Sequence, residues 1–145
     1  MIFSKACEYG IRATTYIAQQ SLNESRVSLK AIAKEIDSPE AFTAKILQKL
    51  VRSGIIKSTQ GSTGGFHVEL KSMSKTKLID IVLAIDGVLK DKVCVLGLKE
   101  CSKINPCPVH HKYKHIKKDI MEMLQKTSLS EMSNRVEDGL SYLKN

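Results

Sequence analysis

The sequence predicts a mainly α-helical chain with one small β-hairpin: a winged helix-turn-helix domain followed by a long dimerisation helix. Three observations carry that prediction. Two short segments with helical apolar spacing meet at Asp37-Ser38-Pro39. A glycine-rich stretch, Gly61-Ser62-Thr63-Gly64-Gly65, separates two strand-like segments. Apolar residues then step by 4, 3, 4, 3 from Val109 to Met123.

The elements follow in chain order. Ser4 is placed to cap a first helix reaching about Gln20, with Ala6, Gly10, Ala13 and Ile17 along one face. Ser28 caps a short helix carrying Leu29, Ile32, Ala33 and Ile36. Ser38 is expected to cap the third helix, with Pro39 at its first position, where a missing N–H is not needed. That helix should turn Phe42, Ile46, Leu47 and Leu50 inward and end at Gly54. Residues 28–51 are therefore the helix-turn-helix. Residues 55–70 form the wing. The alternation in Phe66-His67-Val68-Glu69-Leu70 predicts a strand with Phe66, Val68 and Leu70 inward and His67 outward.

A fourth helix carries Leu78, Ile81, Val82 and Ile85 and closes at Gly87. Residues 1–87 then form the winged domain. Residues 88–107 show no sustained periodicity, and a structureless stretch of that length inside a compact chain is usually functional. Residues 108–145 supply two more helices. The first spans about Pro108 to Lys126, roughly 28 Å at 1.5 Å per residue. Its seam of Val109, Tyr113, Ile116, Ile120 and Met123 has the spacing of helices packed along their length, and is the expected dimer interface. Ser128 and Glu131 form a capping box for a last helix with Leu129, Met132, Val136 and Leu140 inward.

Composition narrows the function classes. The chain has 145 residues, 42% apolar and 26% charged, enough for one core without disulfides. The longest apolar run, Ile81 to Ile85, is far too short for a membrane span. No apolar stretch follows Met1-Ile2-Phe3-Ser4-Lys5, so no secretory signal is expected and the reading is cytoplasmic. Neither a Ser/His/Asp arrangement nor paired carboxylates in a cleft can be argued, so an enzyme with a small-molecule substrate is not expected. The Gly61 to Gly65 loop lacks a Gly-Lys-Ser/Thr ending and precedes a strand, which excludes a phosphate-cradling nucleotide loop.

The net charge of +8 suggests an anionic partner, nucleic acid before membrane. Charge does not locate the surface, since each half of the chain carries +4. The third helix offers Thr43, Ala44, Lys45 and Gln48 off its apolar face, with Ser38 at its start. Glutamine pairs bidentately with adenine, and lysine meets guanine or phosphate. Lys49 and Arg52 are better placed for phosphate. The wing adds Lys57, Ser58, Thr59, Gln60, Ser62, Thr63 and His67, around a small tip suited to a groove or to phosphates. Double-stranded DNA is the expected partner.

The four cysteines divide in two. Cys7 lies beside the apolar face of the first helix and reads as a core residue. Cys94-x6-Cys101-x5-Cys107 lies in the aperiodic stretch. In a reducing compartment, three clustered thiols favour an iron–sulfur cluster or zinc. The wide spacings are less typical of structural zinc. His110, three residues beyond Cys107, is a candidate fourth ligand, with His111 and His115 as rivals. Free thiols or a thiol–disulfide sensor are the plain alternatives.

Taken together the residues resemble the IscR/NsrR/CymR family of bacterial winged-helix regulators over nearly the whole chain. The resemblance runs through Ser4-Lys5, Glu8-Tyr9 and Ile11-Arg12-Ala13, then Ile32-Ala33, Ile36, Phe42, Lys45-Ile46-Leu47 and Leu50. It continues through Gly54-Ile55, Ser58, Gly61 and Gly64-Gly65-Phe66, its most specific part, then Ile81, Ala84, Gly87, the three loop cysteines and Leu129-Ser130-Glu131-Met132. It implies a homodimer on a palindromic operator. It also implies an iron–sulfur cluster, 2Fe–2S before 4Fe–4S, held by Cys94, Cys101, Cys107 and one further ligand. Family members divide between a histidine, here His110, and an acidic residue, here Glu8 of the partner subunit. Cluster state would then set operator affinity. The alternatives are a cluster-free thiol-based or zinc-containing regulator, or a zinc-stabilised protein-interaction adaptor.

Overall fold

The computed structural model describes residues 2–89 and 92–145. Positions 90 and 91 of the cysteine loop lie outside the described residues. The element order is α1 (Lys5–Leu22), α2 (Leu29–Glu35), α3 (Glu40–Arg52), β1 (Lys57–Thr59), β2 (Gly65–His67), a 3-10 turn (Leu70–Ser72), α4 (Leu78–Asp86), α5 (His110–Lys126) and α6 (Leu129–Glu137).

Three helix starts follow from one serine each. The hydroxyls of Ser4, Ser28 and Ser128 accept from the N–H of Cys7 (3.0 Å), Ala31 (3.2 Å) and Glu131 (3.1 Å). Each cap contributes about 1 kcal/mol by satisfying a donor the helix leaves free. The third helix differs from expectation. Its cap is Pro39, with no side-chain bond, and Ser38 lies one residue outside. The Ser38 hydroxyl instead sits 3.0 Å from Thr43 Oγ1. The tight turn from α2 bends at Asp37, which takes φ +51°.

The wing is a two-stranded antiparallel sheet with Lys57 opposite His67, Ser58 opposite Phe66 and Thr59 opposite Gly65. Val27 adds a bridge to Phe66, their backbones exchanging bonds of 3.0 and 2.8 Å. That approach requires glycine at 65: its φ is +134°, and a Cβ there would lie 2.8 Å from the Val27 carbonyl oxygen. The strand is shorter than its alternation predicts. Val68 is buried, but Leu70 turns out into the 3-10 turn and is 54% exposed.

The core gathers α1, α2, α3, α4 and α6 around Ile17, Ile32, Ile36, Leu47, Leu50, Ile56, Ile81 and Leu129, all nearly or wholly inaccessible. α6 returns to α1, where Arg12 donates to the Leu143 carbonyl at 3.1 Å and Gln19 to Glu137 at 3.1 Å. The segment leading into α6 pairs with the one leading into α4, through Leu78 N–H to Thr127 and Leu129 N–H to Thr76. Leu140, expected on the inward face of α6, is 63% exposed, because the helix stops at Glu137 and Gly139 reverses the chain with φ +71°. α5 has a single buried residue, Leu124. Along its seam Val109, Ile116 and Met123 are exposed, while Tyr113 and Ile120 are half-buried. Among the described residues no helix is long and apolar enough to cross a membrane.

Candidate nucleic-acid interface and cysteine loop

α3 is held at its back by Ile46, Leu47 and Leu50. Phe42 is half-buried and meets the Tyr9 ring edge-on at 5.7 Å. The front of the helix presents Lys45, Gln48 and Arg52 to solvent, with Ala44 between them half-buried. A groove of about 480 Å³ runs between this helix and the wing, lined by Leu29, Ala44, Gln48, Val51, Arg52, Ser58 and Phe66. Lys57, Ser58, Thr59, Gln60, Ser62 and Thr63 are all exposed along the strand and tip. The tip closes tightly, since a Cβ on Gly64 would lie 2.1 Å from the Thr59 carbonyl oxygen.

Three expected contacts fall elsewhere. Thr43 is wholly buried, its hydroxyl donating to the Pro39 carbonyl at 2.9 Å, so it supports the start of α3 and has no exposed surface for DNA. The helical register runs through Thr43 as well as Ile46 and Leu50, a burial that its polar type conceals. His67 does not stand clear of the wing: it is half-buried, and its Nδ1 is buried without a hydrogen-bond partner. Lys49 directs its ammonium to the Ile85 carbonyl of α4, 3.1 Å away.

The loop cysteines differ in their partners. Cys94 is 3% exposed and accepts from the Leu96 N–H at 3.4 Å. The N–H groups of Leu98 and Gly97 and the Cys107 thiol add to the stabilisation of its anionic form. Led by the Leu96 N–H, these donors hold the Cys94 thiol below its ordinary value against the opposing effect of burial. Gly97, with φ +78°, makes the turn that brings these amides round. Cys101 and His110 form a pair, Sγ to Nδ1, at 3.5 Å. The Cys101 N–H bonds to the Lys92 carbonyl at 2.8 Å, and the His110 N–H to Cys107 at 3.0 Å, tying the loop to the start of α5.

Among the described residues no three His, Cys, Asp or Glu side chains converge as a metal shell. Glu8 pairs with Lys5 within α1 at 3.3 Å. The donor chemistry nonetheless fits an iron–sulfur group: three thiols on one loop and an imidazole at the start of α5, with a backbone amide already on a buried sulfur. Cys7 is apart from them, wholly buried, and its thiol is pushed up to about 12, first by burial and then by the Asp86 charge.

The sequence reading missed what surrounds Cys7. The Ser4 hydroxyl that caps α1 also donates to the Asp86 carboxylate, and the Ser4 N–H reaches the same group at 3.4 Å. An acidic residue in the last turn of a helix opposes the dipole, and that signal alone calls for a partner.

A family profile described as an iron-dependent transcriptional regulator, Rrf2, matches residues 3–135. This chain belongs to the Rrf2 family. Rrf2 proteins are transcriptional regulators, not enzymes. A protein of Aquifex aeolicus named as an HTH-type transcriptional regulator is 34% identical over 97% of this chain and 96% of its own length. Among solved structures, the global cysteine regulator CymR of B. subtilis superposes with a TM-score of 0.72, at 24% identity over 92% of this chain and 97% of its own. IscR of T. potens gives a TM-score of 0.69, at 23% identity over 97% and 92%. Both share the mainly helical winged fold.

Proposed function

We propose that this Rrf2 protein is a homodimeric regulator whose affinity for a palindromic operator is set by an iron–sulfur cluster held on Cys94, Cys101, Cys107 and His110. The observation that carries the cluster is Cys94: a buried thiol receiving the Leu96 N–H, on the same loop as the Cys101 that pairs with His110. N–H bonds to sulfur stabilise the anionic form that ligates iron. Glu8 of the partner subunit is the alternative fourth ligand. The cluster, 2Fe–2S before 4Fe–4S, supplies a centre sensitive to redox state, nitric oxide or cluster supply.

The chain's own residues do the rest. Lys45, Gln48 and Ala44 face base edges, Ser38 marks the entry to α3, and Arg52, Lys57, Ser58, Thr59, Gln60, Ser62 and Thr63 lie along phosphates and the minor groove. The exposed seam of Val109, Tyr113, Ile116, Ile120 and Met123 pairs with its copy. Residues 88–107 join winged domain to dimer helix, so ordering them sets the angle between the two, a two-state element that a bound group biases. Residues 1–87, 88–107 and 108–145 then act as DNA-binding, sensor and dimerisation units.

A second reading is favoured by the Cys94 thiol, which the Leu96 N–H holds below its ordinary value: a cluster-free regulator that responds through its thiols. Anaerobic purification followed by iron, acid-labile sulfide and zinc analysis, with a visible spectrum, separates the two. Iron with matching sulfide and a charge-transfer band, lost in Cys101→Ala, supports the cluster. Zinc without sulfide, or free thiols and no metal, overturns it.

A further inference from the structure

The end of α4 is fastened to two other helices at one place. The space a Cβ on Gly10 would fill is taken by Ile85, its Cδ1 only 1.9 Å from that point, with Ile46 Cγ2 of α3 3.3 Å from it. Asp86 accepts from both the hydroxyl and the N–H of Ser4, the first capping residue of α1. The Ile85 carbonyl, one of the last four that a helix leaves without an internal partner, accepts from Lys49 Nζ of α3 at 3.1 Å. Gly87 then turns the chain with φ +77°, and the cysteine loop begins.

This arrangement sets the chemistry of Lys49. A helix C-terminus carries partial negative charge, and an ammonium on its orphan carbonyl satisfies both groups. An ammonium held there is turned away from phosphate. Lys49 lies on α3 next to Gln48 and one turn before Arg52, so a shift of the α4 end draws on the recognition helix directly. Packed contacts of this kind have discrete arrangements and do not deform continuously.

We propose that Lys49 is a positioning residue that ties the recognition helix to the root of the cysteine loop, passing the loop's state to α3, in place of a phosphate contact. The tie rests on the cluster-controlled reading above for its input, and on the three-helix junction for its geometry.

The test uses the full chain as wild type, Lys49→Met and Lys49→Arg, each metal-free and cluster-loaded, binding an operator fragment across a salt series. The ratio of loaded to metal-free affinity for coupled sites lies on the order of 5–150-fold, and Lys49→Met should bring it to about one. Lys49→Arg, which keeps a donor for the Ile85 carbonyl, should restore the ratio. The salt slope should not change, and in the metal-free protein the Gly87 amide, bonded to Leu83 at 3.0 Å, should exchange faster in Lys49→Met. A phosphate contact gives the opposite result: the slope falls by about one per protomer, both forms weaken alike, and the proposal is overturned. Unchanged Gly87 exchange also overturns it. A wild type that binds equally with and without cluster sinks the sensor reading itself. The salt slope and the exchange rate then still decide whether Lys49 holds α4 or DNA.

Discussion

Gly10 of α1 and Ile85 of α4 share one volume: a Cβ on residue 10 would fall 1.9 Å from Ile85 Cδ1. Ile85 is 5% exposed, and Ile46 Cγ2 also lies 3.3 Å from that point, so the Ile85 end has little room to swing aside. The glycine is what allows α4 to lie this close to α1.

Gly10→Ala is therefore expected to destabilise the protein by about 1 kcal/mol, overpacking of about 1–3 kcal/mol outweighing a helix-propensity gain of about 1. Ile85→Val removes the clashing methyl, and the double variant should be more stable than the sum of the singles. Urea midpoints at constant m-value measure this. A higher midpoint for Gly10→Ala would show that the contact yields freely.

Arg52 and Gln48 should fail differently on DNA. Arg52→Ala should weaken every operator alike and lower the salt slope by about one per protomer. Gln48→Ala should leave the slope alone and cost about 1–3 kcal/mol at one base pair. Binding titrations over a set of single-base operator variants distinguish the two. A slope change for Gln48→Ala would reassign it to phosphate.

Thr43 should affect folding and not sequence choice. Its hydroxyl bonds to Pro39 in a fully buried setting. Thr43→Val removes that bond while the Pro39 carbonyl keeps the Thr43 N–H at 2.9 Å, at a cost of about 0.5–1.5 kcal/mol in stability. Operator preference should be unaltered once binding is compared for the folded fraction. A changed base preference would place Thr43 at the DNA after all.

The thiols should separate by pH. At pH 8 a thiol titrating near 12, as Cys7 does, is ionised in only about one molecule in ten thousand. Cys94, held down by the Leu96 N–H, reaches its thiolate at lower pH than an ordinary cysteine. Alkylation of metal-free protein, followed by mass spectrometry across pH, should show the Cys94 rate levelling off first, and Cys7 untouched until unfolding. Labelling of Cys7 at neutral pH in the folded state would contradict its burial.

Ile116 is 54% exposed at the middle of the α5 seam. Burying an isoleucine contributes about 1.5–3 kcal/mol, and a two-fold dimer uses it twice. Ile116→Lys should raise the dimer dissociation constant at least about a hundredfold by that arithmetic, as sedimentation would show. An unchanged dimer would move the interface off this seam.

Much of this molecule is written in local signals. Ser4, Ser28 and Ser128 announce three helix starts because a hydroxyl and a free N–H need only three residues of chain to meet. Gly64 and Gly65 announce the wing because no side chain fits where they lie. The cysteine spacing and the α5 seam are readable for the same reason: donors and periodicity survive in one dimension. What the sequence could not convey is where a side chain spends its bond. Thr43 looks like a surface residue and is core. Lys49 looks like a phosphate contact and holds the end of α4. Leu70 and Leu140 look inward and are exposed, because a 3-10 turn and Gly139 break the periods that placed them. The pairing of Cys101 with His110 also belongs to the tertiary structure. Local propensity acts over a few residues, whereas each of these outcomes depends on partners far along the chain or on where the chain turns, and only the folded packing brings those together.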